Sequence, residues 1–210
     1  MKLPNKKYLR IVSHYESCLK KHGDSHLGVD WPKVEDVGKR YGVMLDVVRE
    51  KESHVSLLDF GCGASHLYDY IVRNNIVNIN YNGLDISSHY IDLCRNKYPS
   101  LKYYCLDILN GNIDLPKFDY IIMNGVFTEK RELSYPEMYD YFQAMLLKTF
   151  SFCTKGIAFN VMSTHVDWER SDLFHLPLDE LANFLTKEVS RNFIIRNDYG
   201  LYEYTTYIYR

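Results

Sequence analysis

Four short stretches carry an acid, an asparagine or a glycine pair in an order that suits the binding of a nucleoside. The first, Leu57-Leu58-Asp59-Phe60-Gly61-Cys62-Gly63-Ala64-Ser65, ends an apolar run with an acid and follows it with G-x-G. Glycines there let the chain turn tightly and bring its backbone against a ligand that a side chain would exclude. Asp85 closes a second run, Asn82-Gly83-Leu84-Asp85-Ile86, where a carboxylate can accept both hydroxyl protons of a ribose. Asp107, in Leu106-Asp107-Ile108, closes a third and can accept from an exocyclic adenine amine; Asn124 and Gly125 close a fourth. Strand ends are often polar only because they meet solvent. Four in succession, each just after an apolar run, point instead to one shared crevice.

Other reactive side chains lie outside this series. His22, Asp24 and His26 fall in the polar stretch His22 to Pro32, ahead of Arg40-Tyr41. His22 and His26 have an i, i+4 spacing that on a helix would present two metal ligands, but Gly23 between them argues for a turn, and no metal site is expected. Asp24 suits a turn cap. His165 and Asp167 follow a fifth apolar run, in Ser163-Thr164-His165-Val166-Asp167-Trp168, a position from which a base can reach an acceptor. Cys62 has no basic partner nearby in sequence and reads as a small packing residue rather than a nucleophile.

The elements that position these residues follow from periodicity. Before residue 50 two helical faces are legible, Tyr8, Ile11, Val12, Tyr15, Leu19 and then Val37, Tyr41, Met44, Leu45, Val48. Beyond it, strand-like and helix-like segments alternate. Strands are expected at 55–60, 79–85, 101–106, 118–123 and 156–162, with Ser87 as a helix N-cap after the second. A long helix carries Met138, Tyr141, Phe142, Met145, Thr149 and Phe152 on one side, closed by Gly156 as its C-terminal cap. A helix over 178–189 precedes a terminal hairpin, 192–197 with 201–209, around Asp198-Tyr199-Gly200. Those last two strands are too close in sequence for a helical crossover, so they must be antiparallel. The expected fold is α/β: a Rossmann-like, seven-stranded, mostly parallel sheet with an antiparallel C-terminal strand and an N-terminal helical lid. Residues 1–50 form the lid and 51–210 the main domain in this reading.

Composition narrows the function classes. The chain has 210 residues, of which 46% are hydrophobic and 25% charged, as in an ordinary globular domain. A net charge of −2 argues against broad phosphate-backbone binding, so no nucleic-acid partner is expected. The basic start, Lys2 to Arg10, contains Pro4 and reads as a solvated end. No apolar run approaches the ~20 residues of a bilayer span, so no membrane partner is expected either. The five cysteines are scattered, without a C-x-x-C pair, which suits reduced thiols and a cytoplasmic protein. The 19 tyrosines show no regular spacing.

The D-F-G-C-G of 59–63, the acids Asp85 and Asp107, and F-D-Y-I-I-M-N at 118–124 resemble the successive motifs of class I S-adenosylmethionine-dependent methyltransferases. The resemblance spans about residues 55–162. It implies S-adenosylmethionine as cofactor, with the glycine loop under its methionine part, Asp85 on the ribose, and Asp107 with the Ile108 backbone on the adenine. One departure is Ser65, where the family often has a third loop glycine. A second resemblance lies upstream: Tyr15, H-G-D at 22–24, G-V-D-W-P at 28–32 and R-Y at 40–41 are similar to a bacterial subgroup found in capsule and surface-polysaccharide biosynthesis.

Together these give expected cofactor contacts at Tyr15, Arg40, Asp59, Gly61, Cys62, Gly63, Asp85, Ile86, Asp107, Ile108, Asn124 and Gly125. The catalytic candidates are His22, Asp24, His26 and His165. The aspartate/asparagine–proline–proline–aromatic signature of amino-group methylation is absent, since strand four ends in Met123-Asn124-Gly125-Val126-Phe127. An oxygen acceptor on a small molecule is therefore expected: a sugar, a nucleotide-linked sugar or a phosphoramidate. Two competing readings are a nicotinamide oxidoreductase and a non-catalytic partner subunit. Against the first, the third glycine of G-x-G-x-x-G would be the bulky His66; against the second, the cofactor-site acids are retained.

Overall fold

The computed structural model describes residues 6–111 and 113–210. Its frame is a seven-stranded sheet in the order β3-β2-β1-β4-β5-β7-β6. The strands are β1 (Val55–Phe60), β2 (Ile79–Asp85), β3 (Lys102–Cys105), β4 (Phe118–Met123), β5 (Cys153–Met162), β6 (Phe193–Arg196) and β7 (Glu203–Tyr209). β1 pairs in parallel with β2 and β4, and β4 with β5. β7 runs antiparallel to both β5 and β6. The order reverses between β1 and β4, so the carboxyl ends of those strands flank the switch point where ligands of such sheets bind.

Three of the expected strands (β1, β2 and β4) match the observed ones residue for residue; β1 and β4 are short, almost wholly buried apolar runs, while β2 carries Asn80 and Asn82 and buries its C-terminal half. Crossover helices are α3 (His66–Arg73), α4 (Ser88–Lys97) and α5 (Tyr135–Phe150), with α6 (Leu178–Phe184) running on into a wider π turn, Leu185–Val189. α5 starts on a capping box, Ser134 with Glu137, and buries Met138, Tyr141, Phe142, Met145 and Thr149 as its periodicity requires.

Its far end departs from expectation. The helix stops at Phe150, with Ser151 rather than Gly156 in the cap position, and Gly156 lies inside β5. The physical reason is packing: a β-carbon there would come within 2.9 Å of the Tyr209 ring and 3.1 Å of Tyr120. Ser87 does stand at the N-cap of α4, but its side chain makes no cap bond; its hydroxyl instead donates to Glu16 at 2.6 Å.

The N-terminal helices are α1 (Leu9–His22) and α2 (Val34–Leu45), joined through a 3₁₀ turn at Leu27–Val29. α1 lies across that turn and α4, while α2 packs on α3. The basic start is only partly solvated: Lys6 and Lys7 are exposed but Tyr8 is buried, and Lys2 to Pro4 lie outside the described residues. Among the described residues no helix is long and apolar enough to cross a membrane. All five cysteines are unpaired.

Candidate active site

The strand ends open into a cleft of about 1080 Å³, mouth included. Asp59, Gly61, Cys62, Gly63, Asp85, Ile86, Asp107, Ile108, Asn124 and Gly125 all line it. Along the wall they follow the sheet order β3, β2, β1 and β4, because parallel strands place all their carboxyl ends on one edge.

The loop after β1 takes its shape from backbone that side chains tolerate poorly. Gly61 has φ +76°, and a β-carbon on it would meet Val126 at 2.8 Å. Ser65 holds the place of the frequent third glycine and has φ +59°. That conformation is costly for serine, and two buried contacts hold it: its hydroxyl lies 2.9 Å from the Tyr103 hydroxyl and 3.1 Å from Cys94 Sγ. The Gly63 N–H donates to Asp85 Oδ2 at 3.0 Å, and the Ser87 N–H to Asp85 Oδ1 at 2.9 Å. Asp85 is thereby fixed at the end of β2, with lone pairs on both oxygens left for a ligand.

Burial dominates the electrostatics. It pushes the Asp85 carboxyl up to about 6, against the lowering effect of the Ser87 and Gly63 N–H groups. It pushes Asp59 up to about 7, against the hydrogen bond from the Tyr81 hydroxyl and with the help of the Asp85 charge. Asp107 accepts from the Leu109 N–H at 3.0 Å and from the Tyr8 hydroxyl at 2.6 Å. Tyr8 stacks on Tyr141, ring centroids 5.1 Å apart. Sequence reasoning did not single out Tyr8 as a site residue; its place on the helical face of α1 was the available signal.

The N-terminal segment forms the opposite wall through Tyr8, Ile11, Val12, Tyr15, Val29 and Trp31. Tyr90 of α4 clasps it, its hydroxyl 2.6 Å from the Gly28 carbonyl and 2.9 Å from that of Tyr15. A closed chain of contacts ties the segment to the sheet. The Gly125 N–H donates to Asn160 Oδ1 at 2.7 Å, Asn160 Nδ2 to Glu203 at 2.9 Å, and Arg40 Nε to both Glu203 oxygens at 3.0 Å. The Arg40 guanidinium stacks 4.2 Å over Trp31, whose ring in turn fills the space beside Gly125 that a β-carbon would crowd at 3.1 Å. Arg40 is thus mostly buried in an ion pair. It borders a second cavity, whereas the expected contact Tyr15 borders both.

That second cavity, about 1500 Å³ with its mouth, adjoins the first across Tyr15, Val29 and Trp31. It is built from segments far apart in sequence, which no local pattern announces. Five acids line it (Asp30, Asp36, Glu129, Asp167, Glu203) against Lys33, Arg40, Arg170 and the imidazole of His175. Glu129 is buried, its Oε2 receives Arg131 Nη1 at 3.3 Å, and no described residue donates to its other oxygen. Burial and then the Asp30 charge push its carboxyl up.

His22, Asp24, His26 and His165 line neither cavity. His22 is exposed at the end of α1. Asp24 Oδ1 lies 2.7 Å from His66 Nε2, and its other oxygen 3.1 Å from Lys97. His26 Nδ1 lies 2.6 Å from the Trp31 carbonyl and so orients the loop that carries Trp31. His165 neighbours Val166 and Asp167, which do line the second cavity.

The first cleft fits S-adenosylmethionine on this chain's own chemistry. Asn124 Oδ1 is buried without a hydrogen-bond partner among the described residues, an acceptor at the cleft wall that suits an ammonium donor. Two buried carboxylates, Asp59 and Asp85, add the negative potential that a cationic ligand needs.

Comparison with known proteins agrees. A methyltransferase-domain family model matches residues 58–146. Over 152 residues, 71% of this chain and 90% of the relative, the sequence is 24% identical to the methyltransferase candidate Rv1506c of Mycobacterium tuberculosis. Magnesium protoporphyrin IX methyltransferase of Synechocystis PCC 6803 with bound S-adenosylhomocysteine superposes with a TM-score of 0.65 at 14% identity, covering 98% of this chain and all of that one (100%). The 1,6-didemethyltoxoflavin-N1-methyltransferase of Burkholderia thailandensis gives a TM-score of 0.67 at 12% identity, over 100% of this chain and 91% of that one. At such identities the structural likeness speaks for the fold, and the matched domain speaks for the activity. The chain is an S-adenosylmethionine-dependent methyltransferase with the class I fold.

Proposed function

We propose that this methyltransferase modifies a hydroxyl of a small, uncharged, polyhydroxylated acceptor of the sugar class, held in the second cavity. The observation that carries this reading is the shared wall. Tyr15, Val29 and Trp31 border both spaces, so an acceptor in the second cavity would have its reacting atom beside the cofactor cleft. The excess of acids over bases there favours a hydrogen-bond donor and disfavours a phosphate or phosphoramidate, which would meet like charge. Carboxylates that accept from hydroxyls, next to the exposed Trp168 and Tyr202 at the rim, suit a sugar ring.

Bound in the first cleft, S-adenosylmethionine supplies a methyl group already activated by its positive sulfur. The protein's share is then alignment and exclusion of water, and alignment alone is worth ~7–11 kcal/mol in favourable cases. Asp85 would hold the ribose, Asp107 the adenine amine, and Asn124 Oδ1 the amino group. Glu129, with one oxygen engaged by no described residue, can hold the acceptor's hydroxyl proton. His165, one residue from the cavity lining, is a second candidate for that role. The H-G-D, G-V-D-W-P and R-Y pattern supports an acceptor drawn from capsule or surface-polysaccharide sugars.

Incubation with S-adenosylmethionine and a panel of free sugars, nucleotide sugars and sugar phosphates, read by mass spectrometry, tests this. Gain of one methyl on a sugar hydroxyl is expected. Transfer only to amines or to phosphate oxygens would contradict the reading.

A further inference from the structure

We propose that His14, Cys18 and Asp30 form a binding site for one divalent transition-metal ion of the zinc class, at the border of the second cavity. His14 and Cys18 stand four residues apart on α1, so their side chains leave the helix on one face, a turn apart. The loop that follows brings Asp30 back against them. Asp30 Oδ2 lies 2.7 Å from His14 Nε2, and Cys18 Sγ lies 3.8 Å from the same nitrogen. All three donor atoms fall within 4.8 Å of one another.

Metal geometry sets the standard for these distances. Nitrogen, oxygen and sulfur bonds to tetrahedral zinc of about 2.0–2.3 Å separate the ligand atoms by roughly 3.3–3.7 Å. The imidazole–carboxylate distance therefore has to open by roughly 0.6 Å and the sulfur to close slightly. Side chains that are only half-buried, as these three are, can supply movements of that size.

The donor set is selective. Imidazole with thiolate and carboxylate suits zinc and its neighbours, whereas magnesium and calcium take oxygen ligands. Asp30 is also held in an unusual place for the purpose. Its backbone has φ +59°, a left-handed conformation that a residue with a side chain adopts at a cost, and its N–H donates to the Leu27 carbonyl at 3.1 Å. The buried Glu129 carboxylate adds a second negative charge nearby, answered by Arg131.

Three protein ligands leave one coordination position open, the pattern of reactive rather than purely structural zinc centres. Asp30 borders the second cavity, so a bound ion would sit next to the space assigned above to the acceptor. The site itself does not depend on that assignment. A plain hydrogen-bonded His14–Asp30 pair makes no use of Cys18, and this difference is what an experiment can read.

The full-length reduced protein is titrated with Co²⁺ alone, and absorption is followed into the near ultraviolet. A thiolate-to-cobalt charge-transfer band saturating at one ion per chain is expected, with Zn²⁺ displacing it. Cys18→Ser should abolish the band, and His14→Gln should weaken metal binding at least tenfold. Both variants should keep the thermal stabilisation by S-adenosylhomocysteine that marks an intact fold. Absence of the band overturns the site. So does a band that survives Cys18→Ser, which would place the thiolate at Cys62, Cys94, Cys105 or Cys153, or undiminished affinity in His14→Gln.

Discussion

In its proposed role, the Asp85 carboxylate would link folding to cofactor binding. Burial raises its carboxyl to about 6, and that of Asp59 to about 7, above the values of an unfolded chain. A raised carboxylate favours the folded state at low pH, where the proton stays on, and that contribution is lost as pH rises through the folded value. The free protein should therefore lose thermal stability as pH climbs from about 4 through 7. In the ribose-binding role proposed for Asp85, cofactor binding runs the other way, because the ribose needs an ionised acceptor. Calorimetric affinity for S-adenosylhomocysteine should be full above pH 7 and fall as pH drops through about 6. Asp85→Asn should flatten that pH dependence and cost at least tenfold in affinity, since charged hydrogen bonds are worth ~1.5–3 kcal/mol. An unchanged affinity in the folded variant would show that the carboxylate points elsewhere. This residue was legible in the sequence because an acid ending an apolar run has few other uses. Tyr8 and Glu129 were not, since their meaning depends on Asp107 and on the second cavity, both distant in sequence.

At the scale of elements, the clearest split between the legible and the hidden runs near residue 50. Beyond it, central strands are short and largely buried and their ends hold polar groups, so the succession of strands follows from the pattern, and the ends follow for β1, β2 and β4 but not for β3 and β5. The misplaced cap at Gly156 marks the limit: the residue is glycine because two tyrosine rings approach it, a tertiary fact. Before residue 50 the helical faces were visible but not their partners. The tyrosines supply many of these, with Tyr90 bonding Gly28, Tyr207 bonding the Val43 carbonyl and Tyr209 bonding that of Val47. Their lack of sequence spacing reflects their positions on different strands and helices. α1 and the Trp31 loop form one wall of the first cleft, and we propose that they close over the bound cofactor as a lid. Hydrogen exchange should show amides of residues 10–42 gaining protection when S-adenosylhomocysteine is added. Equal exchange with and without it would mean the wall is fixed before the cofactor arrives.

Across the whole molecule, the sheet's switch point sets one ligand space and the N-terminal segment borders both it and a second. Trp31 lines both. It is held on one side by Arg40, which Glu203 of β7 anchors, and lies on the other against Gly125 at the end of β4. The arrangement joins first and last parts of the chain around the site, which explains why neither cavity could be read from any one segment. What the strand ends jointly claim is a nucleoside cofactor of the sulfonium class rather than a nicotinamide. Isothermal titration of the wild-type protein measures this directly. S-adenosylhomocysteine should bind one to one, and a concentration 100 times its dissociation constant should add ~2.7 kcal/mol of stability, while NADH and NADPH give no heat. Binding of either nicotinamide cofactor with none of S-adenosylhomocysteine would contradict the account.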